Sequence, residues 1–114
     1  MNRTEFFQNL KDILRSEFGA RCVGGFDDKK LALDYGNNTD GRIKMFFELI
    51  GQMTGKILLA RDNNDQIAIQ AALIHVRVHA ISLSTLFNAL ADDIETLLLS
   101  GGWPEIPENY RLPE

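Results

Sequence analysis

Seven apolar residues, Leu83, Leu86, Phe87, Leu90, Ile94, Leu97 and Leu98, trace one stripe on a 3.6-residue period. Asn88, Asp92, Glu95 and Thr96 occupy the far side. Ser82 is placed to cap the start of this helix, and Gly101-Gly102 to stop it, after which Trp103 can fold back onto the last turn. A stripe this long is stable only when covered, so the rest of the chain has to supply an apolar layer against it.

The front of the chain offers a first partner. Residues 4–18 place Phe6, Phe7, Leu10, Ile13, Leu14 and Phe18 on one helical side, with Asn2 or Thr4 as cap and Gly19 as the terminating residue. Between the two helices the pattern changes to short runs separated by turn residues. Residues 21–26 and 31–35 flank Asp27-Asp28-Lys29-Lys30, which reads as a hairpin loop. A stronger turn signal spans 36–41. Residues 42–50 read as a strand with Ile43, Met45, Phe47 and Leu49 on one face, closed by Gly51 to Gly55. Residues 56–61 supply the next strand, and Asp62-Asn63-Asn64-Asp65 turns the chain again. Residues 66–79 alternate cleanly only at Ile74, Val76 and Val78. The earlier part, 67–73, fits two turns of helix as well, and its β-branched content favours strand.

These segments predict an α+β fold: an N-terminal helix, an antiparallel β-sheet of about four to five strands, and a C-terminal helix packed on the sheet. Residues 1–103 form a single domain, and Pro104, Pro107 and Pro113 keep 104–114 as an extended tail. With 114 residues, such a domain buries roughly two-thirds of its unfolded surface and needs neither metal nor disulfide.

Charge narrows the function. Twelve basic and sixteen acidic residues leave a formal charge of −4, and the closest approach to a basic patch, Lys29-Lys30, sits beside Asp27-Asp28. That balance argues against nucleic acid. The lone cysteine, Cys22, gives no sign of an oxidising compartment. The start of the chain lacks a signal-peptide core, and no uninterrupted apolar run approaches the ~20 residues of a membrane span. A cytoplasmic protein without membrane contact is expected.

Catalytic and metal patterns fail on geometry. On a strand, His75 and His79 would lie about 13 Å apart, too far for one ion, and as a helical pair they lack a third ligand. No base is placed near Cys22, and no glycine pair forms a phosphate loop. Asp27-Asp28 and Asp92-Asp93 read as solvated faces. No catalytic residue, cofactor or metal is therefore assigned, and an enzyme is not expected. Surface apolarity remains. In the strand reading, Phe46 and Ile50 stand on the otherwise charged face, which suggests a protein-binding patch or homodimer surface, or a second packed layer.

The layout resembles that of the class I type III secretion chaperones, the family of the Tir chaperone, which are small, acidic and cytoplasmic. The residues that carry the likeness are Thr4-Glu-Phe-Phe-Gln-Asn-Leu-Lys-Asp-Ile-Leu at the front, Leu31-Ala-Leu-Asp-Tyr and Ile43-Lys-Met-Phe-Phe-Glu-Leu between, and the stripe from Leu83 to Leu99 at the back. The resemblance implies a chaperone that keeps a segment of a secreted effector soluble and secretion-competent, with apolar residues of that segment in grooves beside the first helix. Phe6, Phe7, Leu10, Phe46 and Ile50 would contact it. The family's central helix, which builds its homodimer, has a counterpart here only if residues 66–73 supply one. The alternative is an immunity protein that neutralises a basic toxin, with Asp92, Asp93 and Glu95 steering association.

Overall fold

The computed structural model describes residues 5–114. Three helices account for the regular structure: α1 (Phe6–Arg21), α2 (Thr39–Asp62) and α3 (Gln66–Leu99). A short 3-10 turn, Asp28–Lys30, lies in the segment between α1 and α2. No strand or sheet occurs among the described residues, and the α+β expectation is therefore corrected to an all-helical fold. The candidate caps Asn2 and Thr4 lie outside the described residues.

The reason is visible in the spacing of buried positions. On α2, Thr39, Ile43, Phe46, Ile50, Met53, Ile57 and Ala60 are buried or half-buried. On α3, Ile69, Ala72, Val76, His79, Leu83 and Leu86 are likewise covered, and the series continues through Leu90, Asp93 and Leu97. Both sets alternate steps of three and four residues, the 3.5-residue seam of paired helices. The run 42–50 satisfies a period of two only by leaving Phe46 and Ile50 outside. As a helix it buries both, with the Phe46 ring 5.9 Å from that of His79 on α3. Gly51 and Gly55, read as strand-closing turn residues, lie inside α2, where an added Cβ at either would meet nothing within 4 Å.

Local signals close the hairpin between α2 and α3. Asp62 to Asp65 turns the chain as expected, with Asn64 at φ 53° and Asp65 capping α3 through the Ala68 amide at 3.0 Å. Asn38 caps α2 by accepting from the Gly41 amide at 3.1 Å. Ser82, the expected cap of the last helix, is instead interior to α3 and donates its hydroxyl to the Val78 carbonyl at 3.0 Å. Gly19 does not end α1, which runs on to Arg21. At the far end Gly101 and Gly102 take positive φ and Trp103 folds back, its indole donating to the Leu97 carbonyl at 3.0 Å while Arg21 stacks 3.5 Å over its ring.

The compact core sits at the base of the hairpin. Phe7, Leu14 and Phe18 of α1, Leu33 and Tyr35 of the connecting segment, Ile43 of α2, and Leu90 and Leu97 of α3 form one buried cluster. At 1.5 Å per residue, 16-residue α1 spans about 24 Å and 34-residue α3 about 50 Å. The outer half of the hairpin therefore extends beyond the third helix. The molecule measures 60 × 36 × 24 Å, with a radius of gyration of 19.5 Å. A compact chain of this length would have about 13 Å.

Candidate protein-interaction surface

Three buried or half-buried polar groups deserve a functional test before any surface does. Asp93, 1% exposed, accepts from the Ala32 amide at 2.7 Å, the Leu33 amide at 2.9 Å and the Tyr35 hydroxyl at 2.9 Å. These three donors satisfy it and tie the connecting segment to α3. Desolvation by burial, then the hydrogen bond and charge of Asp93, push the Tyr35 phenol well above its ordinary range. Lys11 donates to the Asn37 carbonyl at 2.9 Å and the Thr39 hydroxyl at 2.6 Å. Burial holds its ammonium below the usual lysine range, opposed by Asp34 and Asp40. Asp40, in the first turn of α2, accepts from the Phe7 and Gln8 amides at 2.9 and 2.8 Å, and so caps α1 from another helix.

Each of these groups directs hydrogen bonds at the fold, and Asp40 also borders the groove beside Phe6 and Phe47, with Lys44 and Glu48. His75 and His79 lie on α3, with His79 turned into the seam beside Phe46. No group of three metal-binding side chains occurs among the described residues. Cys22 is half-buried beside the core.

The residues expected to bind a partner are not brought together as a surface. Phe7 is fully buried in the core, Phe46 is 8% exposed in the α2–α3 seam, and Ile50 is half-buried in the same seam. Their placement in the strand reading, Phe46 and Ile50 on an outer sheet face, falls with the sheet. Leu10 is half-buried against the core. Phe6 alone is exposed, and it lines a shallow groove of about 590 Å³ with Ile43 and Phe47. Asp93, one of three acidic residues expected to steer a toxin, is inaccessible.

Apolar surface gathers elsewhere. On α3, Ile67, Ile74, Val78 and Ile81 are 80%, 57%, 50% and 47% exposed, and Leu73 stands beside them at 52%. A shallow concavity of about 500 Å³ runs along this face between Gln66 and Arg77. Residues two positions apart on a helix point about 200° apart, so Ile67, Ile74 and Ile81 lie opposite Ile69, Val76 and Leu83 of the inner seam. A sequence signal for them exists in the seven-residue repeat Ile67, Ile74, Ile81, which the alternation Ile74, Val76, Val78 obscures. By length and composition α3 is also long and apolar enough to cross a membrane. Its apolar run is interrupted by Gln70, His75, Arg77 and His79.

Compared with known proteins, the chain matches no family model, no curated protein and no solved structure. The likeness to type III secretion chaperones was one of helix–sheet–helix layout and of acidic charge, and the sheet in that layout is absent among the described residues.

Proposed function

We infer that the protein works by binding another polypeptide along the outer face of α3. The observation that carries this reading is the exposed row Ile67, Ile74, Val78 and Ile81, a contiguous apolar stripe on a helix whose opposite side is already packed. The chemistry of the face selects the partner class. An apolar stripe at 3.5-residue spacing is matched by the apolar side of another amphipathic helix, whereas a folded basic toxin would need an accessible acidic surface. Within the acidic cluster near the end of α3, Asp93 is committed to the fold.

A photoreactive residue at position 74, compared with one at the fully exposed position 23, tests the reading in the native cell. Protein adducts formed from 74 and not from 23 are the expected result. Adducts with lipid alone, or none from 74, would overturn it.

A further inference from the structure

We propose that the occupant of this face is a second copy of the same chain, the two α3 helices pairing outer face to outer face about a two-fold axis. The proposal rests on the preceding reading that the outer face of α3 is a polypeptide-binding surface.

Area is the first argument. The chain exposes 8721 Å². A compact monomer of 12.9 kDa exposes about 6,300 Å², an excess of about 2,400 Å². The extended tail after Trp103 accounts for part of it. The tail exposes Ile106, Tyr110 and Leu112, the outer hairpin exposes Ile67, Leu73, Ile74, Val78 and Ile81, and a stable interface needs only ~800 Å² from each partner.

Periodicity is the second. The outer positions Ile67, Ala71, Ile74, Val78 and Ile81 repeat at steps of four and three, as the inner seam does. A helix with two such seams on opposite sides belongs inside a bundle of more than two helices, and one hairpin provides only two. Because the outer seam is itself an apolar heptad stripe, it is complementary to its own copy, and a two-fold axis satisfies both copies at once.

Charge is the third. From Glu48 to Thr85, Lys56, Arg61 and Arg77 balance Glu48, Asp62 and Asp65, so this stretch is neutral. The surplus that gives the chain its −4 lies outside it. Two outer hairpins can therefore approach without net repulsion. The same charges count against a bilayer as the occupant. α2 is packed on α3, and its exposed Lys44, Glu48, Lys56 and Arg61 would be carried into hydrocarbon with it, along with Arg77 of α3 itself.

The test is the solution mass of the full chain over a dilution series. The wild type should have twice the 12.9 kDa chain mass. Ile74→Glu should halve the observed mass while the helical circular dichroism is retained, and Val23→Glu should leave it unchanged. A wild type at monomer mass throughout, or a dimer untouched by Ile74→Glu, overturns the proposal. Should Ile74→Glu lose its helical signal, a photoreactive residue at 74 in the purified protein decides, because only a paired face yields a dimer-mass adduct from 74 and none from 23. Two failures are distinguishable. A monomer that crosslinks from 74 to a different protein removes the second copy and leaves the polypeptide-binding reading standing. A monomer that crosslinks from 74 only to phosphatidylcholine–phosphatidylglycerol vesicles, and to no protein in the cell, removes both.

Discussion

Asp93 stands between Leu90 and Leu97 in the α3 seam with a carboxylate that is 1% exposed. Its neighbour Asp92 is exposed, so the pair Asp92-Asp93 splits into one solvated and one structural residue, a division that adjacency in sequence does not reveal. The buried member selects how the connecting segment lies on α3, since two amides and the Tyr35 hydroxyl converge on it. A consequence for alkaline stability follows. The folded-state pKa of Tyr35 is raised, so its contribution is fully present below its ordinary value of about 10. As pH rises past that value the unfolded chain releases the proton first, and stability falls towards the folded pKa. In a Tyr110→Phe background, which leaves Tyr35 as the one phenol, tyrosinate absorbance should stay absent above pH 10 until the protein unfolds. Ionisation at the ordinary value in the folded protein would contradict the buried Tyr35–Asp93 hydrogen bond.

At the scale of elements, the adjacent pair Phe46 and Phe47 separates the strand and helix readings of residues 42–50. A strand with Ile43, Met45, Phe47 and Leu49 inward leaves Phe46 outside; α2 reverses this, with Phe46 8% exposed and Phe47 60%. Phe46→Ala should cost about 3 kcal/mol in chemical denaturation through the lost burial and the cavity beside His79. Phe47→Ala should stay within about 0.5 kcal/mol. The reverse order would restore the strand. The helical stripes at both ends of the chain were legible because Phe7, Leu14 and Phe18, and Leu90 and Leu97, face a full core. In the middle, Gly51 and Gly55 imitated turn punctuation, and the β-branched residues of 66–79 imitated a strand. Local preference of this kind is a fraction of a kcal/mol to about 1 kcal/mol per residue, and the seam between α2 and α3 outweighs it.

The whole molecule is a short three-helix base continued by a two-helix arm. Among the described residues the arm lacks a third layer, and that deficit links the architecture to its proposed use. If two arms pair, the folded state is stabilised by mass action, and its melting temperature should rise with protein concentration. Differential scanning calorimetry of the wild type should show this rise, and Ile74→Glu should show none. A wild-type melting temperature independent of concentration would contradict the paired arm. The position of the exposed stripe was not accessible from composition, because −4 of net charge and an ordinary apolar fraction are compatible with a core that takes in every apolar side chain.

By itself the sequence determined the two amphipathic ends, the turn at Asp62 to Asp65, the stop at Gly101-Gly102 with Trp103 folded back, and the net charge of −4. These depend on neighbours within a few residues, or on charge that needs no fold to count. Only the tertiary structure decided that residues 39–62 and 66–99 are two long helices, that Phe46 and Ile50 belong to the seam between them, and that Ile67, Ile74, Val78 and Ile81 are left outside. The physical reason is that a run such as Ile-Lys-Met-Phe-Phe-Glu-Leu-Ile fits either period taken alone. The choice is made by the complementary stripe on another element, which in this chain is brought alongside by a three-residue turn.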